Sequence, residues 1–180
     1  MMLQKGSSTG LVLSVMDYQD ADCLVEILSF DFGKRLFMAK GIRRPKSKKR
    51  SALQIFNKVD YSWSQTKGLP LVLEAQVKET FPGIRQSLNK MALAFYFCEI
   101  IKKTIHEEDP HSDLYELLSK YLTQVAVSKK LKSLRQAFLH DILATLGYLT
   151  ENTQTNNLDA EIEKITEKRI NSFRVGKALL

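Results

Sequence analysis

The sequence predicts an α+β protein in which an all-β unit precedes an all-α unit. Short apolar runs separated by turn residues fill residues 1–80, and after Phe81-Pro82-Gly83 the apolar period changes from 2 to 3.6. The 180 residues suffice for one domain or two small ones, and the apolar and charged fractions (44% and 26%) are typical of a globular chain. We therefore expect two domains, at residues 1–80 and 81–180.

Five apolar runs in the first unit predict five short strands. They cover residues 11–16, 24–30, 35–40, 53–64 and 69–77. Turn signals lie between them, including Lys67-Gly68, and the short turn Asp31-Phe32-Gly33 favours a hairpin of the second and third strands. Five short strands at this spacing indicate a small barrel or sandwich.

Four segments with helical periodicity predict the second unit. They cover residues 87–106, 114–125, 131–146 and 158–165. The first is apolar nearly all round, which predicts a central helix. The second follows Asp109-Pro110-His111-Ser112, which suits a helix start, and the third ends at Gly147, which suits a C-terminal cap. The polar residues 150–157 are predicted to form a loop.

The sequence contains no motif that indicates an enzyme. It has no phosphate-binding glycine loop, no H-E-x-x-H and no G-x-S-x-G. The densest group of metal-ligand residue types, at residues 106–111, is interrupted by Pro110, which favours a solvated helix end. Asp17, Asp20 and Asp22 are interpreted as turn residues between two strands. We expect no catalysis, no metal and no cofactor.

Two further observations bear on the cellular compartment. Cys23 and Cys98 are far apart in the sequence and each lies among apolar residues, which predicts two buried thiols rather than a disulfide or a zinc site. No apolar run is long enough to span a membrane, and the polar N-terminus does not resemble a signal peptide. The expectation is a cytoplasmic protein.

Positive charge is concentrated in one segment. The formal net charge is +7, and residues 32–59 hold ten Lys or Arg and no Asp or Glu. Nine of these cations are Lys34, Arg35, Lys40, Arg43, Arg44, Lys46, Lys48, Lys49 and Arg50. Gly41 and Pro45 exclude a regular helix there, so a projecting or mobile connection is predicted. Such cations can follow a phosphate backbone without reading bases, which predicts nucleic-acid or other polyanion binding. The alternative is a solvated loop without a ligand.

Aromatic residues of the β unit could contribute to binding. They are Phe30, Phe32, Phe37, Phe56, Tyr61 and Trp63. Most are expected in the core, and one or two exposed on a strand face could stack on bases.

A second basic group begins the third helix. Lys129, Lys130, Lys132 and Arg135 lie beside apolar residues that include Phe138. An apolar patch with a positive rim suits a peptide that ends in acidic and aromatic residues. An ordinary amphipathic helix with a wet edge explains the pattern equally well.

Several motifs, in order and spacing, resemble the bacterial recombination mediator family RecO. They are Gly10-Leu-Val-Leu13, Asp17-Tyr18, the stretch from Asp22 to Gly33-Lys34, Ala39-Lys-Gly-Ile-Arg-Arg-Pro-Lys-Ser47, Lys67-Gly68, Leu73-Glu74-Ala75, Phe81-Pro-Gly-Ile-Arg85, Leu134-Arg135, Phe138 and Leu146-Gly147-Tyr148. The resemblance covers residues 1 to about 150, and the segment from Ala39 to Ser47 is its most specific part.

The resemblance implies an N-terminal five-stranded OB-fold barrel and a C-terminal helical domain. It implies a non-enzymatic protein of DNA repair and recombination that binds single- and double-stranded DNA and anneals complementary strands. The implied partners are RecR and the acidic C-terminal tail of single-stranded DNA-binding protein, with which it helps load RecA at gaps. By motif, Lys40, Arg43, Arg44 and Lys46 would hold phosphates. Arg135, in the matching Leu-Arg-x-x-Phe stretch, would hold the carboxylate of the tail. Lys132 and Phe138 are predicted to belong to the same tail-binding surface.

The chain departs from this family at one place. Many members carry a four-cysteine zinc site after the Leu-Gly-Tyr segment, where this sequence has residues 151–157 and no cysteine. We expect no zinc, a shortened C-terminal region, a monomer when alone, and a cytoplasmic location at the nucleoid. The alternatives are a generic OB-fold nucleic-acid-binding protein, a pure protein adaptor, or a nucleic-acid enzyme with an unrecognised site.

Overall fold

The computed structural model describes residues 3–105, 110–149 and 158–166. Their contacts divide the chain into two compact units. One contains the residues up to Thr80 together with the short segment that ends at Ser112, and the other contains the remaining residues from Phe81 onward.

The first unit is a closed barrel of five strands. They are β1 (Gln4–Tyr18), β2 (Asp22–Ser29), β3 (Gly33–Ala39), β4 (Lys58–Gln65) and β5 (Leu71–Glu79). The strand order is β1-β2-β3-β5-β4, and β1 is long enough to pair with β4 through its first half and with β2 through its second. All neighbours are antiparallel except β3 and β5, which are parallel. This confirms the predicted OB-fold barrel followed by helices.

Alternating side chains of the strands fill the barrel. Val25, Ile27 and Phe37 are completely buried, and Tyr61 and Trp63 pack edge-on or tilted against Phe37. This alternation is the period of 2 that indicated strands in the sequence.

The fourth strand is shorter than predicted. Residues 53–64 were expected to form one strand, but β4 begins at Lys58. Leu53 and Phe56 are buried from turns instead, and the backbone N–H of Phe56 donates to the carbonyl of Val12. The side-chain amide of Asn57 donates to the carbonyls of Ser51 and Ala52, 3.1 and 3.0 Å away. The apolar residues before β4 are therefore buried at one end of the barrel, where turns can bury them as well as a strand can.

The second unit is helical. It contains α1 (Pro82–Arg85), α2 (Leu88–Thr104), α3 (Ser112–Val127), α4 (Leu131–Thr145) and α5 (Leu158–Thr166). As predicted, α2 is buried on most of its surface. None of the helices in the described ranges is both long enough and apolar enough to cross a membrane.

Aromatic rings form the centre of the helical unit. Phe97 of α2 stacks on Phe138 of α4 with 3.9 Å between ring centroids, and Tyr121 of α3 meets both rings edge-on. Stacked and edge-on rings add to the free energy that burial alone provides.

The end of α4 has the predicted glycine cap. Gly147 has a φ of +77°, its N–H donates to the carbonyl of Ala144, and the N–H of Tyr148 donates to the carbonyl of Leu143. This pair of bonds is the Schellman motif, and glycine adopts its left-handed backbone at least cost. The loop predicted at 150–157 lies outside the described residues.

Candidate nucleic-acid interface

The basic connection between β3 and β4, residues 40–52, is folded rather than projecting. Successive turns are closed by backbone hydrogen bonds from Arg44 to Gly41, from Ser47 to Arg44 and from Arg50 to Ser47. Ile42 is buried in the barrel core near its start, and Ala52 is buried there at its end. The expectation of a projecting or mobile connection is therefore wrong, because apolar residues at both ends anchor it to the barrel.

Two carboxylates near the β1–β2 turn fix the start of this connection. The N–H of Gly41 donates to Oδ1 of Asp22 at 2.7 Å, and Nη1 of Arg43 lies 3.3 Å from Oδ2 of Asp17. Both residues were predicted in the turn, but they lie in β2 and β1, and of the three aspartates in question only Asp20 lies in the turn. The sequence could not show this role, because the fold brings together residues that are 19 and 26 positions apart.

A groove of about 850 Å³ runs between the basic connection and β5. β3 and β5 pair only at Met38 and Leu71, so the two strands have no further pairing beyond that point. On one side the groove is lined by the cations Lys40, Arg44, Lys46, Lys48 and Lys49. On the other side lie residues 73–77, where Leu73, Val77 and the acidic Glu74 are exposed. One wall of the groove is therefore a row of positive charges, and the opposite wall is a partly apolar strand.

Five of the nine predicted cations are exposed without an acidic partner among the described residues. They are Lys40, Arg44, Lys46, Lys48 and Arg50. Arg43 is exposed but pairs with Asp17. Lys49 is half-buried, and its Nζ donates to the carbonyl of Val72 at 2.9 Å. Burial lowers the pKa of Lys49. Lys49 therefore ties the connection to β5, and the exposed cations remain available to a ligand.

The structure does not bring Lys34 and Arg35 into the groove. Lys34 is only 8% exposed, with its Nζ 3.8 Å from Oε1 of Glu26. The guanidinium of Arg35 lies 4.7 Å from the ring centroid of Trp63, and its Nη2 donates to Oε1 of Gln65. Both belong to β3, where they contact barrel residues, and we leave them out of the proposed interface.

The outer face of the barrel carries an apolar row that the sequence did not reveal. Strand register places Met16 beside Leu24, Leu24 beside Met38, and Met38 beside Leu71. Met16 is 46% exposed, and the other three are half-buried. Only the register aligns these residues, since they come from four separate runs of the sequence.

A second hollow, of about 470 Å³, lies at the edge of this row. Its lining includes Met38, Gln19, Lys40, Arg44 and the acidic Asp22. Lys40 and Arg44 therefore line both the groove and the second hollow. These two cations therefore lie between the groove and the second hollow, and both surfaces also contain apolar side chains.

Most of the barrel's aromatic rings are in the core, as expected. Phe37, Phe56, Tyr61 and Trp63 are buried, and Phe32 is half-buried with its ring edge-on to Trp63. Outside the core, Phe30 is 44% exposed near the β2–β3 turn, and Tyr18 is 37% exposed at the end of β1. Tyr18 was not among the rings singled out from the sequence.

The residues predicted to bind a partner's tail have different surroundings in the helical unit. Lys132 is exposed at the start of α4. Phe138 is completely buried and stacks on Phe97, so its predicted contact with a peptide is wrong: its ring belongs to the core. Arg135 is half-buried, and its Nη2 forms an ion pair with Oδ1 of Asp159.

No metal centre is found in the part of the chain that the structure describes, where no three His, Cys, Asp or Glu side chains come together. Cys23 and Cys98 are both free and buried. Burial, followed by the hydrogen bond to Asp17, raises the pKa of the Cys23 thiol. That keeps it protonated and slow to react.

Comparison with known proteins agrees with the two-part architecture. Residues 2–81 match the family model described as recombination protein O N terminal, and residues 85–163 match recombination protein O C terminal. Together the two models cover both the barrel and the helical unit.

Several curated relatives are called DNA repair protein RecO. A protein of Geobacter metallireducens called DNA repair protein RecO is 28% identical over 93% of this chain and 68% of its own length. Namesakes from Listeria monocytogenes and Pelobacter propionicus are 29% and 30% identical over 77% and 76% of this chain, which correspond to 54% and 56% of their own lengths. The chain thus spans between about half and two thirds of the relatives it matches. The two family models match in sequence order, and they cover the barrel and the helices. The chain therefore belongs to the RecO family of DNA repair proteins.

Proposed function

We propose that the chain is a non-enzymatic recombination mediator that binds single- and double-stranded DNA and anneals complementary strands. Its partners would be RecR and single-stranded DNA-binding protein, with which it would help load RecA at gaps. The observation that carries the proposal is the groove of about 850 Å³ in which exposed cations face β5. The names of the relatives, which refer to DNA repair, support it.

The groove suits a phosphate backbone rather than a base sequence. Lys40, Arg44, Lys46 and Lys48 are flexible or forked cations on one wall, and such contacts position a strand without reading it. The opposite wall offers Leu73 and Val77, against which bases can lie. We therefore propose binding with little sequence preference and a strong dependence on salt.

Annealing requires that two like-charged strands come close together. Lys40 and Arg44 line both the groove and the second hollow, so one pair of cations faces two neighbouring surfaces. We propose that one strand follows the groove while the second approaches across the outer apolar row. Neutralising both strands at one place lowers the repulsion that opposes pairing.

The experiment that tests this function is annealing of two complementary strands already saturated with single-stranded DNA-binding protein. The full chain should accelerate annealing, and deletion of the acidic tail of the coating protein should abolish the acceleration. Acceleration on bare strands only would limit the function to a generic cationic annealer. If nucleic acid neither binds nor competes with an acidic protein ligand, the chain is a protein adaptor. Magnesium-dependent cleavage of either strand would contradict the non-enzymatic proposal.

A further inference from the structure

A carboxylate site in the helical unit is occupied by the chain's own helix α5. Nη2 of Arg135 in α4 forms an ion pair with Oδ1 of Asp159, in the first turn of α5. The hydroxyl of Tyr96 in α2 donates to the same oxygen at 2.7 Å. A guanidinium and a phenol from two different helices thus converge on one carboxylate oxygen.

The two donors also contact each other. Tyr96 is buried, and the guanidinium of Arg135 lies over its ring, 5.0 Å from the centroid. The side chains of Arg135 and Asp159 are only 16% and 20% exposed. Burial opposes the charge of Arg135, but the hydrogen bond with Asp159 and the neighbouring groups raise the pKa of the guanidinium, which stays charged. A charged group this deep needs a partner, because leaving it unpaired is costly.

The helix that supplies the carboxylate is short and has few buried residues. α5 has nine residues, and helices this short are marginal in water without tertiary contacts. Only Ile162 and Thr166 of α5 are buried. Asp159 therefore sits on an element that can leave the site at a cost that a ligand's binding can offset.

Three exposed lysines precede Arg135 in the chain. Lys132 lies one helical turn before Arg135 and is exposed, and Lys129 and Lys130 are exposed just before the helix. These lysines are complementary to a peptide with several carboxylates, whereas α5 places only one carboxylate on Arg135. An acidic peptide can thus gain contacts at this site that α5 does not make.

We infer that α5 is an internal competitor, so that an acidic peptide binds at Arg135 by displacing Asp159 and the helix that carries it. The inference rests on the proposed function, in which single-stranded DNA-binding protein is a partner, and on the assignment of its acidic tail to Arg135 in the sequence analysis. The affinity for the peptide is then the intrinsic affinity multiplied by the fraction of chains in which α5 has left. Removing the Asp159 carboxylate raises that fraction.

The test uses the full chain and a fluorescently labelled synthetic peptide with a run of aspartates and a C-terminal phenylalanine, followed by anisotropy. Asp159→Asn removes the charge with almost no change in shape, and we expect binding about five- to tenfold tighter. The matched control is Glu163→Gln, an exposed carboxylate on the same helix, which should change affinity less than about twofold. Arg135→Gln should weaken binding at least about tenfold, because it removes the anion's partner.

The outcomes separate this inference from the proposed function. If Arg135→Gln loses the peptide but Asp159→Asn binds like the wild type, the partner site stands and the competition by α5 is refuted. If Arg135→Gln binds like the wild type, the tail site itself is misplaced and the inference falls with it. Weaker binding by Asp159→Asn would make α5 part of the peptide's platform and overturn the inference.

A second measurement needs no variant. Hydrogen exchange of the α5 backbone amides should become faster when the wild-type chain is saturated with the peptide, because the displaced helix loses its protection. Slower or unchanged exchange at saturation would contradict displacement.

Discussion

Removing the groove cations should flatten the salt dependence of DNA binding without unfolding the barrel. The variant is the triple substitution Arg44→Ala, Lys46→Ala and Lys48→Ala. All three side chains are exposed and line the groove. None has an acidic partner among the described residues, so their removal should change the free energy of unfolding by less than about 0.5 kcal/mol.

The magnitude follows from the number of cations in the groove. Five line it, and Lys49 is engaged with Val72, which leaves four for phosphates. Each phosphate contact on a single strand contributes about −0.7 to the slope of log K against log salt, so the wild type should show about −2.8. The triple variant keeps one cation and should show about −0.7. Between 50 and 200 mM salt, binding should therefore weaken about 50-fold in the wild type and about threefold in the variant.

The assay is fluorescence anisotropy with a labelled oligothymidylate at a series of salt concentrations. The matched control is Lys129→Ala, Lys130→Ala and Lys132→Ala, which makes the same charge change with exposed side chains of the helical unit. Its slope should stay near the wild-type value. Equal slopes for the wild type and the groove variant would refute the assignment of the groove as the DNA site. A control slope as flat as that of the groove variant would also refute it, because the flattening would then be an effect of net charge alone.

Three further outcomes test the packing around the two proposed sites. Phe138→Ala should lower the free energy of unfolding by about 3–5 kcal/mol in chemical denaturation, whereas a peptide-contact role would leave it nearly unchanged. Lys49→Met should cost about 1 kcal/mol, because the carbonyl of Val72 loses its donor; no loss would mean that water replaces it. Burial opposes the charge of Asp141, but the hydrogen bond from Tyr121 and the nearby cation hold the pKa of this carboxyl below its usual value. The charged carboxylate therefore stabilises the folded state above about pH 4, and this stabilisation is lost as the pH falls through the lowered pKa. Asp141→Asn should therefore cost about 1 kcal/mol at pH 7, and a difference that persists at pH 2 would contradict this assignment.

Much of the fold could be predicted from the sequence, because the patterns that indicate strands, helices and caps involve residues close together in the chain. The period of 2 in β2 and β3 and the apolar surface of α2 each reflect burial of neighbouring residues. The cap at Gly147 likewise depends on a few adjacent positions. The start of β4 was predicted too early because residues 53–57 bury apolar side chains from turns, and the period alone does not distinguish the two.

The candidate interface could be predicted only in part, because it depends on contacts between residues that are far apart in the chain. Clustering of cations between β3 and β4 is a property of the sequence, but the burial of Lys34 and the engagement of Lys49 with Val72 depend on strands distant in the chain. The same holds for the apolar row, which register assembles from four strands. Asp159 is 24 positions from Arg135, and no pattern in the sequence joins them.

Phe138 shows how a sequence pattern can assign a residue to the wrong role. Its position beside basic residues suggested an apolar patch with a positive rim, and Phe138 and Arg135 were assigned to the same peptide site. On α4 they lie three positions apart, yet the ring enters the aromatic core while the guanidinium reaches Asp159. Of this pair, Phe138 is a core residue, and Arg135 stays in the proposal for the peptide site.

The most direct test of the central claim is a nuclear magnetic resonance titration of the full chain with an oligothymidylate. The account predicts that the largest amide shifts fall in residues 40–52 and in residues 73–77 of β5, with small shifts in α2 to α4. Shifts concentrated in the helical unit, with the basic connection unaffected, would contradict the claim that the groove of the barrel holds the DNA strand.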